Sequence, residues 1–213
     1  MSSNVLAASA HFDDAELGCG GTLARHVREG DRVYLYVATR SGYGNMKGKS
    51  VRSDADARKE GLRAAKILGV KVLEGDFETF HLRYEDPLIA ALRRIIEEKK
   101  IDTVYLPWTG DAHQDHRALA RAAITAARHC PRLLMYRINH YDTDEAFVPR
   151  HYVDISSTMS VKVRALKAHA SEMKRTQGRW LEYVTQEDRN TGIKLGVAHA
   201  ESFHAVRFLV PTR

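Results

Sequence analysis

The sequence has little cysteine and no long apolar segment, and each absence excludes a class of protein. Cys19 and Cys130 are the two cysteines among 213 residues, too few for the disulfide framework of a small secreted protein. We expect free thiols and a cytoplasmic protein. No apolar run approaches the roughly 18 residues of a membrane-spanning helix, and the N-terminus lacks the pattern of a signal peptide. The sequence therefore predicts no membrane partner.

Aromatic residues make up 8% of the chain, and they do not alternate with basic residues in a stripe. Nucleic-acid binding is therefore not predicted. The net charge of +6 permits an anionic ligand, but cations spread over solvated helix faces explain it more simply. The length predicts a single domain over residues 1–213, since domains span about 100–200 residues. A homo-oligomer is compatible with this composition.

Apolar runs alternate with amphipathic segments through residue 138. This alternation predicts an α/β fold with a doubly wound, mostly parallel, Rossmann-like sheet and an irregular C-terminal part. The predicted strands cover residues 5–10, 32–38, 71–73, 101–106, 133–138, 152–155 and 204–210. Six helices are predicted. The first ends near residue 29, the second and third cover 54–68 and 86–99, and the fourth ends at 128. The fifth begins at 156 or 157 and ends at 173, and a short sixth covers 180–185.

Polar side chains follow the first strand directly. His11, Asp13 and Asp14 stand where this strand gives way to a helix. Either aspartate alone is explained by helix capping, because Asp is a preferred N-cap residue. Capping does not explain the histidine or the need for both acids. In open α/β sheets, ligands bind in the crevice at the carboxyl ends of the strands, so this position predicts a site.

A second polar cluster follows the strand at 101–106 and contains His113, Asp115 and His116. Because the carboxyl ends of parallel strands meet at one edge of a sheet, we expect the two clusters to converge. A catalytic divalent ion needs about three protein ligands and an open position. His11, Asp14 and one histidine of the second cluster supply such a set, which suits zinc and also iron. The other histidine can reach a substrate, and Asp115 can orient an imidazole by accepting its N–H.

These motifs resemble those of the LmbE-like (PIG-L) deacetylases, which are metal-dependent hydrolases that remove N-acetyl groups. The resemblance rests on His-x-Asp-Asp after the first strand, a glycine-rich helix start and a later His-x-Asp-His. Weaker support comes from Glu60 and from residues 65–70, 167–172 and 200–203. Two positions depart from the family pattern: Phe12 replaces the usual proline, and Ala15 replaces a frequent glutamate.

The resemblance implies a role for each cluster residue. His11, Asp14 and His116 would bind the metal, and Asp13 would be the general base. His113 would polarise the substrate or donate a proton, with Asp115 completing the catalytic set. The implied enzyme is a zinc-dependent amidohydrolase that releases acetate from a small N-acetylated amino sugar, such as N-acetylglucosamine or its conjugates. Either Asp13 or His113 would protonate the leaving amine.

Two other functions compete with this interpretation. Gly18, Gly20 and Gly21 follow a strand and suggest a nucleotide-binding loop, but their spacing is not that of a dinucleotide fingerprint, and two acids precede them. A non-catalytic sugar-binding protein on the same fold is the other alternative. Predicted loops at the same sheet edge offer candidate substrate contacts, namely Arg40, Tyr43, Arg52, His140, Tyr141 and Asp142.

Overall fold

A computed structural model describes residues 2–138 and 141–210. Its strands are β1 (Asn4–Ser9), β2 (Arg32–Thr39), β3 (Tyr43–Gly44), β4 (Ser50–Arg52), β5 (Lys71–Phe77), β6 (Thr103–Pro107), β7 (Arg132–Tyr136), β8 (His151–Asp154) and β9 (Ala200–Phe208). Its helices are α1 (Asp14–Arg28), α2 (Asp54–Leu68), α3 (Asp86–Lys99), α4 (Gln114–Ala126), α5 (Met159–Lys167), α6 (Ala170–Thr176) and α7 (Arg179–Leu195).

Seven strands form the main sheet in the order β5-β2-β1-β6-β7-β9-β8, and β3 pairs with β4 in a separate hairpin. The first five strands of this order are parallel, whereas β9 runs antiparallel to both β7 and β8. The predicted fold class is therefore confirmed. From β1 the chain builds outward through β2 and β5 on one side, then returns to add β6 and β7 on the other. The crevice beside β1 is thus the topological switch point, where such sheets bind ligands.

Strand β1 is buried on both faces, which explains its unbroken apolar run. Val5 and Ala7 pack into one apolar cluster with α1, α2 and α5. Leu6 and Ala8 pack into a second cluster with α3 and α4. Helices therefore cover both faces of the sheet, as parallel sheets require. Because the side chains of β1 point into these two apolar clusters, the polar residues of the first cluster are found only after the strand ends.

The C-terminal part differs from the prediction in its helices. The single helix predicted to end at residue 173 is two helices, α5 and α6, separated at 168–169. The break turns His169 inward, where its ring lies 3.1 Å from an Nη2 of Arg52 and 3.3 Å from Oε1 of Glu16. These buried tertiary contacts outweigh the local helical propensity that the prediction used.

The short helix predicted at 180–185 is α7, which has 17 residues. Its buried residues, Val184, Asp188 and Gly192, repeat at four-residue intervals. This buried stripe is narrow and only partly apolar. The segment therefore lacks the apolar periodicity that would have predicted a helix of this length. The last strand begins at Ala200 and not at residue 204.

The features that the sequence lacks are consistent with this structure. Cys19 lies in α1, and Cys130 lies beyond the end of α4. Helix α4 ends at Ala126, two residues before the predicted end at 128. Both thiols are buried and free, so the prediction of no disulfide between them is confirmed. Among the helices of residues 2–138 and 141–210, none has the length and apolar character needed to cross a membrane.

Phe12, which replaces the family's usual proline, is 2% exposed and packs against helix α2. Gly61 of α2 provides the space for it. A Cβ atom added at Gly61 would lie 2.0 Å from Cδ1 of Phe12, far inside van der Waals contact. The aromatic ring therefore requires a glycine in the facing helix, and this pair links α2 to the turn that carries the first polar cluster.

We expect Gly61→Ala to destabilise the protein, although alanine favours a helix by about 1 kcal/mol over glycine. Overpacking of this kind typically costs about 1–3 kcal/mol, so the net effect should be destabilising. Urea unfolding of Gly61→Ala beside Lys59→Ala, an exposed position on the same helix, measures it. A Gly61→Ala protein more stable than the Lys59→Ala control would contradict the proposed packing.

Candidate active site

The two polar clusters converge on one cavity at the carboxyl ends of β1 and β6. Its volume is about 360 Å³, and its lining includes His11, Asp13, Asp14, His113 and His116. That volume is within the range of about 300–1,000 Å³ typical of small-molecule sites. The convergence expected from the parallel topology is therefore observed.

The turn after β1 separates the two aspartates into different environments. Asp13 has φ 116°, and within the described structure its side chain makes no capping hydrogen bond to α1. Asp14 begins α1, and its Oδ2 accepts a hydrogen bond from the backbone N–H of His11 at 2.8 Å. Simple helix capping therefore does not account for Asp13. A non-glycine residue in this left-handed region costs about 1–3 kcal/mol and is typical of functional sites.

His11, Asp14 and His116 fit a metal ion. Nδ1 of His11 lies 3.3 Å from Nε2 of His116. Asp14 places Oδ2 3.5 Å from Nδ1 of His11 and Oδ1 3.2 Å from Nε2 of His116. A tetrahedral zinc site with bonds of about 2.0–2.1 Å has ligand atoms about 3.3 Å apart. These three residues therefore have the donor types that such an ion requires and lie at about this spacing, with a different oxygen of Asp14 facing each imidazole.

Each of the two imidazoles has a carboxylate at its other ring nitrogen. Oδ2 of Asp115 lies 3.0 Å from Nε2 of His11, and Oδ1 of Asp111 lies 3.0 Å from Nδ1 of His116. Such carboxylates hold the orientation of metal-binding histidines and raise their basicity. Asp115 therefore makes with His11 the contact that an orienting carboxylate would make. Asp111 was missed by sequence reasoning, although an acid two residues before His113 was a signal.

The cluster strongly attracts positive charge. Burial alone would lower the pKa of His11, but the carboxylates of Asp14 and Asp115 outweigh burial and raise it to about 9. His116 likewise has its pKa raised to about 10, against burial, chiefly by Asp14 and Asp111. Despite its own burial, Asp14 has a pKa well below the ordinary value because the two imidazoles face it. The same carboxylates would attract a divalent cation.

Asp13 behaves differently from its neighbour. Burial raises its pKa to about 7, and the attraction of Arg52 only partly offsets this effect. Nη1 of Arg52 lies 3.6 Å from Oδ2 of Asp13. A carboxylate whose pKa lies close to neutrality can both take up and release a proton at physiological pH, as a general base requires.

His113 precedes α4, and its Nδ1 accepts a hydrogen bond from the backbone N–H of Asp115 at 3.1 Å. Its ring is stacked with that of His116, with centroids 4.6 Å apart, so the shared face predicted for the two histidines is observed. Burial, followed by the nearby His116 and His11, lowers its pKa to about 4. His113 is therefore a neutral imidazole whose Nε2 carries the proton. One nitrogen each from His11, His113 and His116 lies within 4.8 Å of the others, so by spacing alone His113 could also bind an ion.

The cavity wall includes some of the predicted substrate contacts and several residues that were not predicted. Tyr43, Arg52 and Tyr141 line the cavity, whereas Arg40 pairs with Asp76 at 3.0 Å on the exposed surface. Asp142 is exposed, and His140 lies outside the described residues. The lining residues that sequence reasoning missed include Phe80, Glu172, Arg175 and Trp180.

The glycines of α1 serve packing. A Cβ at Gly18 would lie 2.1 Å from the Tyr136 ring, and one at Gly21 would lie 2.7 Å from Ile155. The backbone N–H groups of Gly21 and Thr22 donate to the Glu201 carboxylate at 2.9 and 2.7 Å. An internal carboxylate therefore occupies two of the amides that a phosphate would need, which contradicts a nucleotide-binding loop here. Glu16, which follows Ala15, is buried, and its Oε1 lies 3.3 Å from Nε2 of His169.

Comparison with known proteins identifies the family of this chain. Residues 6–127, more than half of the chain, match the family described as PIG-L, GlcNAc-PI de-N-acetylase. The uncharacterized deacetylase YaiS of Escherichia coli K12 is 33% identical over 181 residues, which cover 78% of this chain and 90% of YaiS. Diacetylchitobiose deacetylase of Thermococcus kodakarensis is 28% identical over 188 residues, covering 79% of this chain and 69% of that enzyme.

A solved structure shows the same fold in a protein with a different reaction. The 4-carboxy-2-hydroxymuconate hydratase GalB of Pseudomonas putida KT2440 superimposes with a TM-score of 0.86 and 20% identity, over 100% of this chain and 99% of that chain. At this identity the likeness concerns the fold alone, and a fold does not determine a reaction. The family match over residues 6–127 and the 33% identity to YaiS show more than a shared fold. They show that this chain belongs to the PIG-L deacetylase family.

Proposed function

We propose that this protein is a zinc-dependent deacetylase that hydrolyses the acetamide of an N-acetylated amino sugar or its conjugate. The family and the diacetylchitobiose deacetylase activity named for one relative support this substrate class. One observation carries the reaction type: Asp13 lies in the same cavity as three spaced metal-ligand side chains, yet stays outside that set. A hydrolase needs such a separate base.

His11, Asp14 and His116 would hold the ion, and their donor set suits zinc and also iron. A bound divalent ion would lower the pKa of water toward about 7 and polarise the substrate carbonyl. Asp115 and Asp111 keep the two imidazoles oriented through their outer nitrogens. The backbone N–H of His11 holds one oxygen of Asp14, so all three ligands are positioned in advance.

Asp13 takes the proton of the water molecule that attacks the acetyl carbonyl carbon. His113 donates its Nε2 proton as a hydrogen bond to the oxygen that becomes negatively charged. Because its pKa is about 4, His113 remains a neutral donor and does not supply the proton of the leaving amine. Asp13 returns the proton it has accepted to the amine nitrogen as the C–N bond breaks. The products are acetate and the free amino sugar.

The experiment that tests this function is an acetate-release assay of the zinc-loaded protein on N-acetylated sugars, aminoglycosides and sugar nucleotides. Asp13→Asn serves as the comparison, since it should slow catalysis by this site by about 10²–10⁴. Release of acetate from at least one N-acetylated sugar, slowed to this extent in Asp13→Asn, supports the proposal. Hydration of an unsaturated tricarboxylate such as 4-carboxy-2-hydroxymuconate, without acetate release, would favour the reaction named for GalB. Ligand binding with neither reaction would favour a sugar-binding protein.

We expect one tightly bound zinc ion per chain, held by His11, Asp14 and His116. Elemental analysis after zinc loading and desalting should find the ion in the unaltered protein and in Asp13→Asn, but not in His116→Ala. Lys59→Ala, on the exposed surface of α2, is the matched control. Full metal content in His116→Ala would remove His116 from the ligand set.

We expect metal-loaded Asp13→Asn to lose about 10²–10⁴ in kcat, the usual contribution of a general base. Asparagine preserves the size of the side chain but cannot accept the proton of water. Zinc content and the circular dichroism spectrum should remain those of the unaltered protein. Normal turnover in this variant would place the base at another residue.

We expect His113→Ala to keep its zinc and to lose about 10²–10³ in kcat, as when a single oxyanion donor is removed. KM should change little, because the hydrogen bond strengthens only as charge develops in the transition state. Parallel kinetics and zinc analysis of His113→Ala and His116→Ala separate the two roles. If His113→Ala loses zinc and His116→Ala keeps it, the two roles are reversed.

A further inference from the structure

Arg52, the last residue of the β3–β4 hairpin, is 3% exposed and lies directly beside the turn that carries Asp13. Its Nη1 donates to the carbonyl oxygen of Phe12 at 3.1 Å. The same nitrogen lies 3.6 Å from Oδ2 of Asp13. One guanidinium thus contacts both the peptide that precedes Asp13 and the carboxylate of Asp13.

The other end of the guanidinium is fixed by two further elements. Nη2 of Arg52 donates to Oε2 of Glu60 on α2 and lies 3.1 Å from Nδ1 of His169, at the break between α5 and α6. Glu60 is held in turn by the backbone N–H and hydroxyl of Ser171, at 2.8 and 2.6 Å. Arg52 therefore has a position determined by α2 and the α5–α6 break, independently of Asp13.

The Phe12–Asp13 peptide needs such a partner because Asp13 has φ 116°. A conformation of this cost persists only when surrounding contacts determine it. Two contacts act on Phe12: Oγ of Ser41 accepts its N–H at 2.9 Å, and Arg52 binds its carbonyl. Arg52 is the one of the two that also reaches the Asp13 side chain.

We propose that Arg52 is a positioning residue, whose guanidinium holds the strained Phe12–Asp13 turn so that the Asp13 carboxylate stays aligned in the cavity. The inference rests on the proposed role of Asp13 as the base. A lysine cannot replace Arg52, because one ammonium cannot reproduce the planar fork that binds Phe12, Glu60 and His169 together. The hairpin thereby becomes part of the catalytic arrangement, although it lies outside both polar clusters.

A double-mutant cycle tests this inference, with Arg52→Ala made in the unaltered protein and in Asp13→Asn, each zinc-loaded and checked for metal content. Misplacing a catalytic group by about 1 Å costs on the order of 100-fold, so Arg52→Ala should lower kcat by about that factor. KM should stay within about threefold if the effect is on the transition state alone. In the Asp13→Asn background the same change should have almost no effect, because two residues that act as a unit are not additive.

Arg58→Ala is the matched control, since Arg58 lies exposed on α2 and pairs with Glu74. It should retain normal kinetics. If Arg52→Ala does not fold, Arg52→Lys supplies the same comparison, and it too should lose kcat while keeping zinc. Normal kcat in a folded Arg52→Lys protein would overturn the inference.

The remaining outcomes separate this inference from the proposed function. A purely KM effect of Arg52→Ala would make Arg52 a substrate contact and overturn its positioning role. If Arg52→Ala lowers kcat equally in the unaltered protein and in Asp13→Asn, the positioning role is also overturned. In that case the proposed base still stands, provided that Asp13→Asn by itself has low activity. Full activity in Asp13→Asn would overturn the proposed base, and the inference with it.

Discussion

The carboxylate of Asp14 joins the two halves of the sheet, and the arrangement of the site depends on it. It is 2% exposed and lies between His11, which follows β1, and His116 on α4. A buried carboxylate without partners would be very costly, so both imidazoles must converge on it in the folded state. The topological switch point supplies the crevice, and this contact determines how the side chains from its two sides are arranged.

A second set of buried charges keeps the first helix in place. Lys162 is 1% exposed, and its Nζ lies 2.7 Å from both Asp188 and Glu201. Glu201 also accepts two backbone N–H groups of α1, which become available because Cys19 interrupts the helix with φ −149°. Breaking a buried pair by removing one partner is strongly destabilising. The part of α1 that follows Cys19 is therefore held from the C-terminal part of the chain.

Sequence reasoning predicted the fold class and the convergence of the clusters because both follow from short-range patterns and from one rule of parallel topology. His11 and His113 each follow an apolar strand, and strand ends of a parallel sheet meet at one edge. The break at His169 and the cavity wall around Glu172 could not be predicted in this way. Glu172 accepts a hydrogen bond from Tyr43, 129 residues away, and such pairings depend on the complete tertiary structure.

The same fold can carry out different reactions, and in the proposed reaction the N–H proton of one imidazole has a particular role. The same fold occurs in a hydratase, and both water addition to a double bond and the proposed hydrolysis need a group that accepts a proton from water. Amide hydrolysis develops negative charge on a carbonyl oxygen, which a positioned hydrogen-bond donor stabilises strongly. In the proposed reaction His113 would be that donor, because the backbone N–H of Asp115 donates to its Nδ1 and burial lowers the pKa of its ring. The orientation of this imidazole is therefore consistent with the proposed amide hydrolysis.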